Sequence, residues 1–315
     1  MPGPVPRVAR AGAMIAPIRL QRPLDGDAKD GDHARWLVKM KAVKLAKRTG
    51  DIMRLKDRVA IVTGAAGGIG EAIARAFAKE GAIVVAADIN EIGSADTIKE
   101  IRDAQGTGSS LRVDVTDTDD VSRMVAETVK AHKRVDIIAN VAGTGFRHSF
   151  LEAKAEDFER VLRVNLIGSF NCAQAAAREM MKRNYGRIIN IASIAGTRAG
   201  AGRTAYGTSK SAVMGMTRQA ALELGPLGIT VNAVAPGPVD TPMTRTTHNE
   251  LTRESYKKLI PVGRYGKVEE MADAAVFLAG EPAAYVNGHI LYVDGGYIAA
   301  GISNDFAGFI DPVKD

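Results

Sequence analysis

Arg58 to Gly81 reads RVAIVTGAAGGIGEAIARAFAKEG. Its first six residues are apolar and largely β-branched, the composition of a strand covered on both faces in a parallel sheet. Glycines then interrupt the run at Gly64, Gly67, Gly68 and Gly70, and the remainder carries a helical apolar pattern that stops at Gly81. Strand, glycine turn and helix in that order point free backbone N–H groups at an anion. Gly64 allows the tight turn, while Gly68 and Gly70, with Ile69 between them, allow helix, strand and ligand to approach closely. The spacing is G-x-x-x-G-x-G, not the commoner G-x-G-x-x-G.

A second apolar run, Ala82 to Ala87 (AIVVAA), closes on Asp88. An acid at that place accepts hydrogen bonds from both hydroxyls of an adenosine ribose and repels a 2′-phosphate. Gly67 and Ile89, beside the loop and the acid, supply no Arg or Lys for such a phosphate, so NAD is favoured over NADP. The alternative for Asp88 is a helix N-cap. Further strand patterns begin near Leu111, Val135, Arg187, Ile229 and His289, with helical patterns between them. The alternation predicts an α/β fold: one doubly wound, seven-stranded parallel sheet of Rossmann type with helices on both faces.

The chemistry lies further on. Ala205 to Leu224 reads AYGTSKSAVMGMTRQAALEL, which places Tyr206 and Lys210 four apart on one helix face, with Ser193 upstream. A phenol is a poor base near neutrality, but a neighbouring ammonium favours the phenolate and makes the pair a proton acceptor. A serine hydroxyl beside it can hold the substrate oxygen. Competing chemistries lack their residues. The five histidines (His33, His132, His148, His248, His289) show no metal spacing, and Ser193 lacks a G-x-S-x-G elbow.

With these residues the chain resembles the short-chain dehydrogenase/reductase family, in its single-domain branch with a TGxxxGIG loop and a YxxxK pair. The resemblance covers Arg54 to Tyr297. It implies that Asp114 and Val115, ending the third strand, meet the adenine. Asn140, Ala142 and Gly143 match the motif after the fourth strand, where Val141 replaces the usual second Asn. Pro236, Gly237, Val239 and Thr241, in APGPVDTPM, match the segment that holds the nicotinamide carboxamide. Asn165 matches the asparagine that holds a water in the proton relay, Ser193 the substrate-positioning serine, and Tyr206 and Lys210 the base and its partner, which also touch the cofactor. The implied reaction is hydride transfer between NAD and a secondary alcohol, with Lys210 lowering the Tyr206 pKa. The alcohol is a polyol, sugar, hydroxy acid or cyclic alcohol. The alternatives are an NADPH-dependent 3-oxoacyl-[acyl-carrier-protein] reductase and, more remotely, a non-catalytic nucleotide-binding scaffold. Family members are commonly homotetramers, paired through helices that here span Glu156–Arg183 and Tyr206–Leu224.

Composition sets the remaining bounds. Cys172 is the single cysteine, on an apolar helix, and reads as a core filler of a cytoplasmic protein. No apolar run approaches the roughly 18 residues that span a membrane. The net charge of +6 lies wholly in residues 1–53, where eleven Lys or Arg face five Asp, so the remainder carries no nucleic-acid footprint. The first 27 residues are rich in Pro, Gly and Arg, and Trp36 to Arg48 has a basic amphipathic pattern. Because Met53-Arg-Leu-Lys-Asp-Arg-Val opens directly into the first strand, residues 1–52 read as a gene-calling extension or added leader. Residues 53–297 then form the catalytic domain and 298–315 a tail. Arg147, His148, Arg198, Arg203, Arg245, His248 and Arg253 are spread over the loops expected around the substrate. They suit either an anionic substrate or solvated loop charge. The segment Pro238 to Gly266 reads as a helical lid.

Overall fold

β1 (Val59–Thr63) is buried at every position, as its unbroken apolar run requires. The computed structural model describes residues 53–301; the basic pattern at Trp36–Arg48 and the tail residues Phe306, Phe309 and Ile310 lie outside them. From β1 the chain alternates: α1 (Gly68–Lys79), β2 (Ile83–Asp88), α2 (Glu91–Asp103), β3 (Thr107–Arg112), α3 (Thr118–His132) and β4 (Ile137–Asn140). The second half adds α4 (Ala155–Leu162), α5 (Ser169–Met180), β5 (Gly186–Ile191), α6 (Thr204–Leu224) and β6 (Ile229–Pro236). It ends with α7 (Pro242–Thr247), α8 (Glu250–Leu259), α9 (Val268–Ala279) and β7 (Ile290–Val293).

The seven strands form one sheet in the order β3-β2-β1-β4-β5-β6-β7, and every pairing is parallel. Successive side chains of a strand point to opposite faces. Accordingly Ala60 and Val62 join a core with α1 and α9 around Phe77 and Met271, while Ile61 joins a second with α3 and α5 around Met124 and Met180. Cys172 belongs to that second core, and burial pushes its thiol up to about 12, which leaves it inert. The strand order reverses between β1 and β4. At such a switch point the loops leaving the strand ends part to either side and open a crevice.

Two boundaries differ from the sequence expectation. The third strand ends at Arg112, before Asp114 and Val115. Val113 still donates to the Asp88 carbonyl at 2.9 Å, but the Asp114 carboxylate accepts from Thr116 N and Oγ1 at 2.9 and 2.8 Å. That local turn pulls the backbone out of the ladder. The long helix expected over Glu156–Arg183 is interrupted by a π-helical turn, Arg163–Gly168, centred near Asn165.

Candidate active site

The crevice at the switch point holds a cleft of about 640 Å³. The glycine turn forms its floor. Gly64 has φ +67°, and a Cβ there would stand 2.7 Å from Ala142 N. A Cβ at Gly70 would overlap the Gly64 carbonyl oxygen. Backbone therefore passes where side chains would otherwise stand. Helix α1 starts at Gly68 with no side-chain cap from Gly67, so its first N–H groups are left for a ligand. A pyrophosphate fits this cradle.

Asp88 lines the same cleft at the end of β2. Its two carboxylate oxygens accept from Ala66 N at 3.0 Å and Asn90 N at 2.9 Å, which ties the acid to the glycine loop. Each oxygen keeps a further lone pair for a ribose hydroxyl. Gly64, Gly68, Ile69, Gly70, Asp114, Val115, Ala142, Gly143, Tyr206, Lys210 and Thr241 also line the cleft, as the sequence suggested. Thr144, Arg160 and Met243 line it without having been singled out.

Four of the proposed cofactor residues are placed elsewhere. Asn140 is 2% exposed and points into the interior, donating to Asn190 Oδ1 at 2.9 Å and the Ser169 carbonyl at 3.3 Å. It braces β4 to β5 and is not part of the cleft wall. Pro236 closes β6, the Gly237 amide donates to the Val293 carbonyl at 3.0 Å, and Val239 is 3% exposed and bridges to Gly266. These three hold the floor beneath Thr241, which alone of its segment's expected residues reaches the cleft.

The reacting groups sit where α6 begins. Lys210 is 4% exposed, and its Nζ donates to the Ile191 carbonyl at 2.7 Å. Burial lowers its pKa to about 8. Ser193 is buried, and its Oγ accepts from Ala195 N at 3.1 Å, fixing its rotamer. Tyr206 is half-buried, and burial raises its phenol; hydrogen bonding to Ser193, then the charge of Arg203, pull it back down. Sequence reasoning gave that task to Lys210. In the structure the lysine ammonium stands 5.8 Å from the Tyr206 ring centroid and donates to Ile191, and Arg203 is a second cation beside the phenol, 5.4 Å from the same centroid.

Asn165 is wholly buried in the π-turn. Its Oδ1 accepts from Thr144 N at 2.8 Å, and its Nδ2 donates to the Thr144 carbonyl and to Ser209 Oγ, both at 2.9 Å. Ser209 Oγ in turn donates to the Tyr206 carbonyl at 2.7 Å. Asn165 thus clamps the loop after β4 onto the first turn of α6. Ser209 was missed, although its place three residues after Tyr206 put it on the same side of that helix.

Residues 64–298 match a family model described as Enoyl-(Acyl carrier protein) reductase. The chain is 40% identical over 246 residues to the 3-oxoacyl-[acyl-carrier-protein] reductase FabG of Thermotoga maritima, a match that covers 78% of this chain and 100% of that protein. The chain belongs to the short-chain dehydrogenase/reductase family. It is thus an oxidoreductase of the class that interconverts alcohols and ketones with a nicotinamide cofactor. It is also 38% identical over 243 residues to the NAD-dependent glycerol dehydrogenase of Listeria innocua, covering 77% of this chain and 94% of that one. Among solved structures, a gluconate 5-dehydrogenase from Burkholderia cenocepacia in complex with NADP and tartrate is 35% identical, with a TM-score of 0.76 over 80% of this chain and 99% of the other.

Gly145 packs on the Tyr206 ring, where a Cβ would stand 2.8 Å from Cδ2. The segment Pro238 to Gly266, expected to be a helical lid, carries α7 and α8. His248, between those helices, is 7% exposed and contacts Arg203 and Tyr265. Among the described residues no helix is long and apolar enough to cross a membrane, and no group of three His, Cys, Asp or Glu could hold a metal ion.

Proposed function

We propose that the protein is an NAD-preferring dehydrogenase that interconverts a secondary alcohol and its ketone. The observation that carries this reading is the presence of Tyr206 and Lys210 in the same cleft as the glycine turn and Asp88. A nicotinamide dinucleotide bound there supplies the hydride acceptor. Tyr206 takes the hydroxyl proton of the alcohol, and Ser193 holds the same oxygen. Lys210, with a pKa near 8, titrates close to working pH and suits the outward passage of that proton. Asp88 offers acceptors to the adenosine ribose and repels a 2′-phosphate.

The test is binding of NADH and NADPH to the full chain, followed through the cofactor's own fluorescence, then oxidation of a secondary-alcohol panel by the preferred cofactor. NADH should bind at least tenfold more tightly, and Asp88→Ser should narrow the gap. In Tyr206→Phe, turnover should fall by orders of magnitude while NADH still binds; retained turnover refutes the role of Tyr206.

A second reading is reduction of an oxoacyl thioester with NADPH. It is favoured by the 40% identity to a 3-oxoacyl-[acyl-carrier-protein] reductase and by the NADP bound to the gluconate 5-dehydrogenase. Tighter binding of NADPH than of NADH moves it to the front.

A further inference from the structure

The arginines around Tyr206 are not equivalent. Arg245 and Arg253 both pair with Asp240 at 3.3 Å, and Arg198 donates to the Tyr297 carbonyl at 2.9 Å. Among the described residues Arg198, Arg147 and Arg203 have no carboxylate within 4.0 Å, and of the three Arg203 is the one that stands against the Tyr206 ring. Arg147 donates to the Thr247 carbonyl at 3.2 Å. The Arg203 guanidinium lies 5.4 Å from the Tyr206 ring centroid, and its Nη2 stands 2.9 Å from His248 Nε2.

How Arg203 is held is informative. A guanidinium only donates, so His248 Nε2 accepts with its lone pair and the imidazole proton is on Nδ1, facing the Tyr265 hydroxyl at 2.9 Å. His248 is therefore neutral. Burial, then the charges of Arg203, Arg147 and Arg253, bring its pKa down to about 4. The ring is stacked on Tyr256 at 5.3 Å and 16°. Guanidinium groups inside proteins are ordinarily fixed by carboxylates, which cancel their charge. A neutral imidazole fixes the position of Arg203 and leaves its positive charge available. A guanidinium beside Tyr206 with no carboxylate partner among the described residues is a site for an oxyanion. A cation–π contact with Tyr206 alone does not explain the imidazole brace.

We propose that Arg203, positioned by His248, is the specificity-determining group, and that the substrate is an alcohol or ketone bearing an oxyanion (a carboxylate or a phosphate ester) a few bonds from the reacting carbon. This rests on the reading of Tyr206 as the group that meets the reacting oxygen. Guanidinium offers paired donors to either oxyanion.

The test compares matched substrates: 3-hydroxybutyrate, tartrate and gluconate against the methyl ester or lactone of each, and glycerol 3-phosphate against glycerol. The parent protein should favour the anionic member of at least one pair by about ten- to hundredfold in kcat/KM, the size of a lost charged hydrogen bond. Arg203→Gln should collapse that ratio, chiefly through KM, and Arg203→Lys should restore part of it. A preference confined to the acids assigns a carboxylate; one confined to glycerol 3-phosphate assigns a phosphate. A purely structural Arg203 lowers both members of a pair in parallel and leaves the ratio standing, which overturns the proposal. Equal use of both members by the parent also overturns it. If no alcohol is turned over, the dehydrogenase reading fails separately. Calorimetric titration of the same anions into parent and Arg203→Gln protein still decides: a tenfold loss of affinity supports the site, and equal affinities refute it.

Discussion

Replacing Asn165 by Ala should loosen the site before it alters the chemistry. The substitution removes the hydrogen bonds to Thr144 N, the Thr144 carbonyl and Ser209 Oγ from a wholly buried position. Each is worth about 1 kcal/mol net, and a buried partner left unpaired costs about 1–3 kcal/mol. Thr144 is only part-buried and regains water, and Ser209 keeps its bond to the Tyr206 carbonyl, so the lower figure applies to most of the loss. The sum is about 2–4 kcal/mol. For a domain of this size 1 kcal/mol moves Tm by about 2–4 °C, which gives a drop of about 9 °C at the middle of both ranges. Thermal unfolding followed by circular dichroism reads it, with NADH affinity measured on the same sample. Freed of its clamp, the segment Gly143–Thr144 at the cleft should also bind NADH more weakly. The reasoning is refuted if Tm falls by less than about 2 °C while turnover is lost; the amide would then act on the reaction and not on the loop.

Two further outcomes follow from the same geometry. Gly70→Ala places a Cβ on the Gly64 carbonyl oxygen, and the helix can relieve this only by moving off the turn, so NADH binding should be abolished and stability should fall by about 1–3 kcal/mol; normal NADH affinity in fluorescence titration would contradict the cradle. His248 has a folded pKa of about 4 against an ordinary 6.5, so between these values the unfolded chain binds the extra proton. By linkage stability falls as pH drops from 6.5 to 4, and His248→Gln should flatten that part of a Tm-against-pH profile, a shape that parallel profiles would refute.

The fold was legible because its signals are local. Arg58–Gly81 contains strand, turn and helix in sequence, and each later strand is an apolar run between helical patterns, so a parallel sheet needs no knowledge of distant contacts. Tyr206 and Lys210 were legible for the same reason: four residues on a helix fix a common face. The inward orientation of Asn140 was not legible, because its motif says which residue is present and not which way a strand-end side chain points. The sheet register decides that, and it sets Asn140 beside Asn190. The π-turn at Asn165 (RVNLIG) has no local signature that separates it from an ordinary helical turn, while the partners of Asn165, Thr144 and Ser209, lie 21 and 44 residues away in sequence.

Charge on the substrate loops was the least legible part, and its sorting is where the structure adds most. Seven His and Arg residues looked interchangeable in the sequence. Asp240 separates some of them, since it pairs with both Arg245 and Arg253, whereas Arg147 and Arg203 have no carboxylate partner among the described residues. The Arg203–His248 contact spans 45 residues, so no local pattern announces it. Its consequence is electrostatic. Arg203 lowers the phenol of Tyr206 from one side while burial raises it, and a substrate oxyanion seated on Arg203 would offset that cation. The same guanidinium proposed to select an anionic substrate is therefore one of the groups, after burial and Ser193, that bear on how readily Tyr206 gives or takes the proton. Substrate choice and base strength are coupled through one residue, and a variant that relaxes the first must also shift the second.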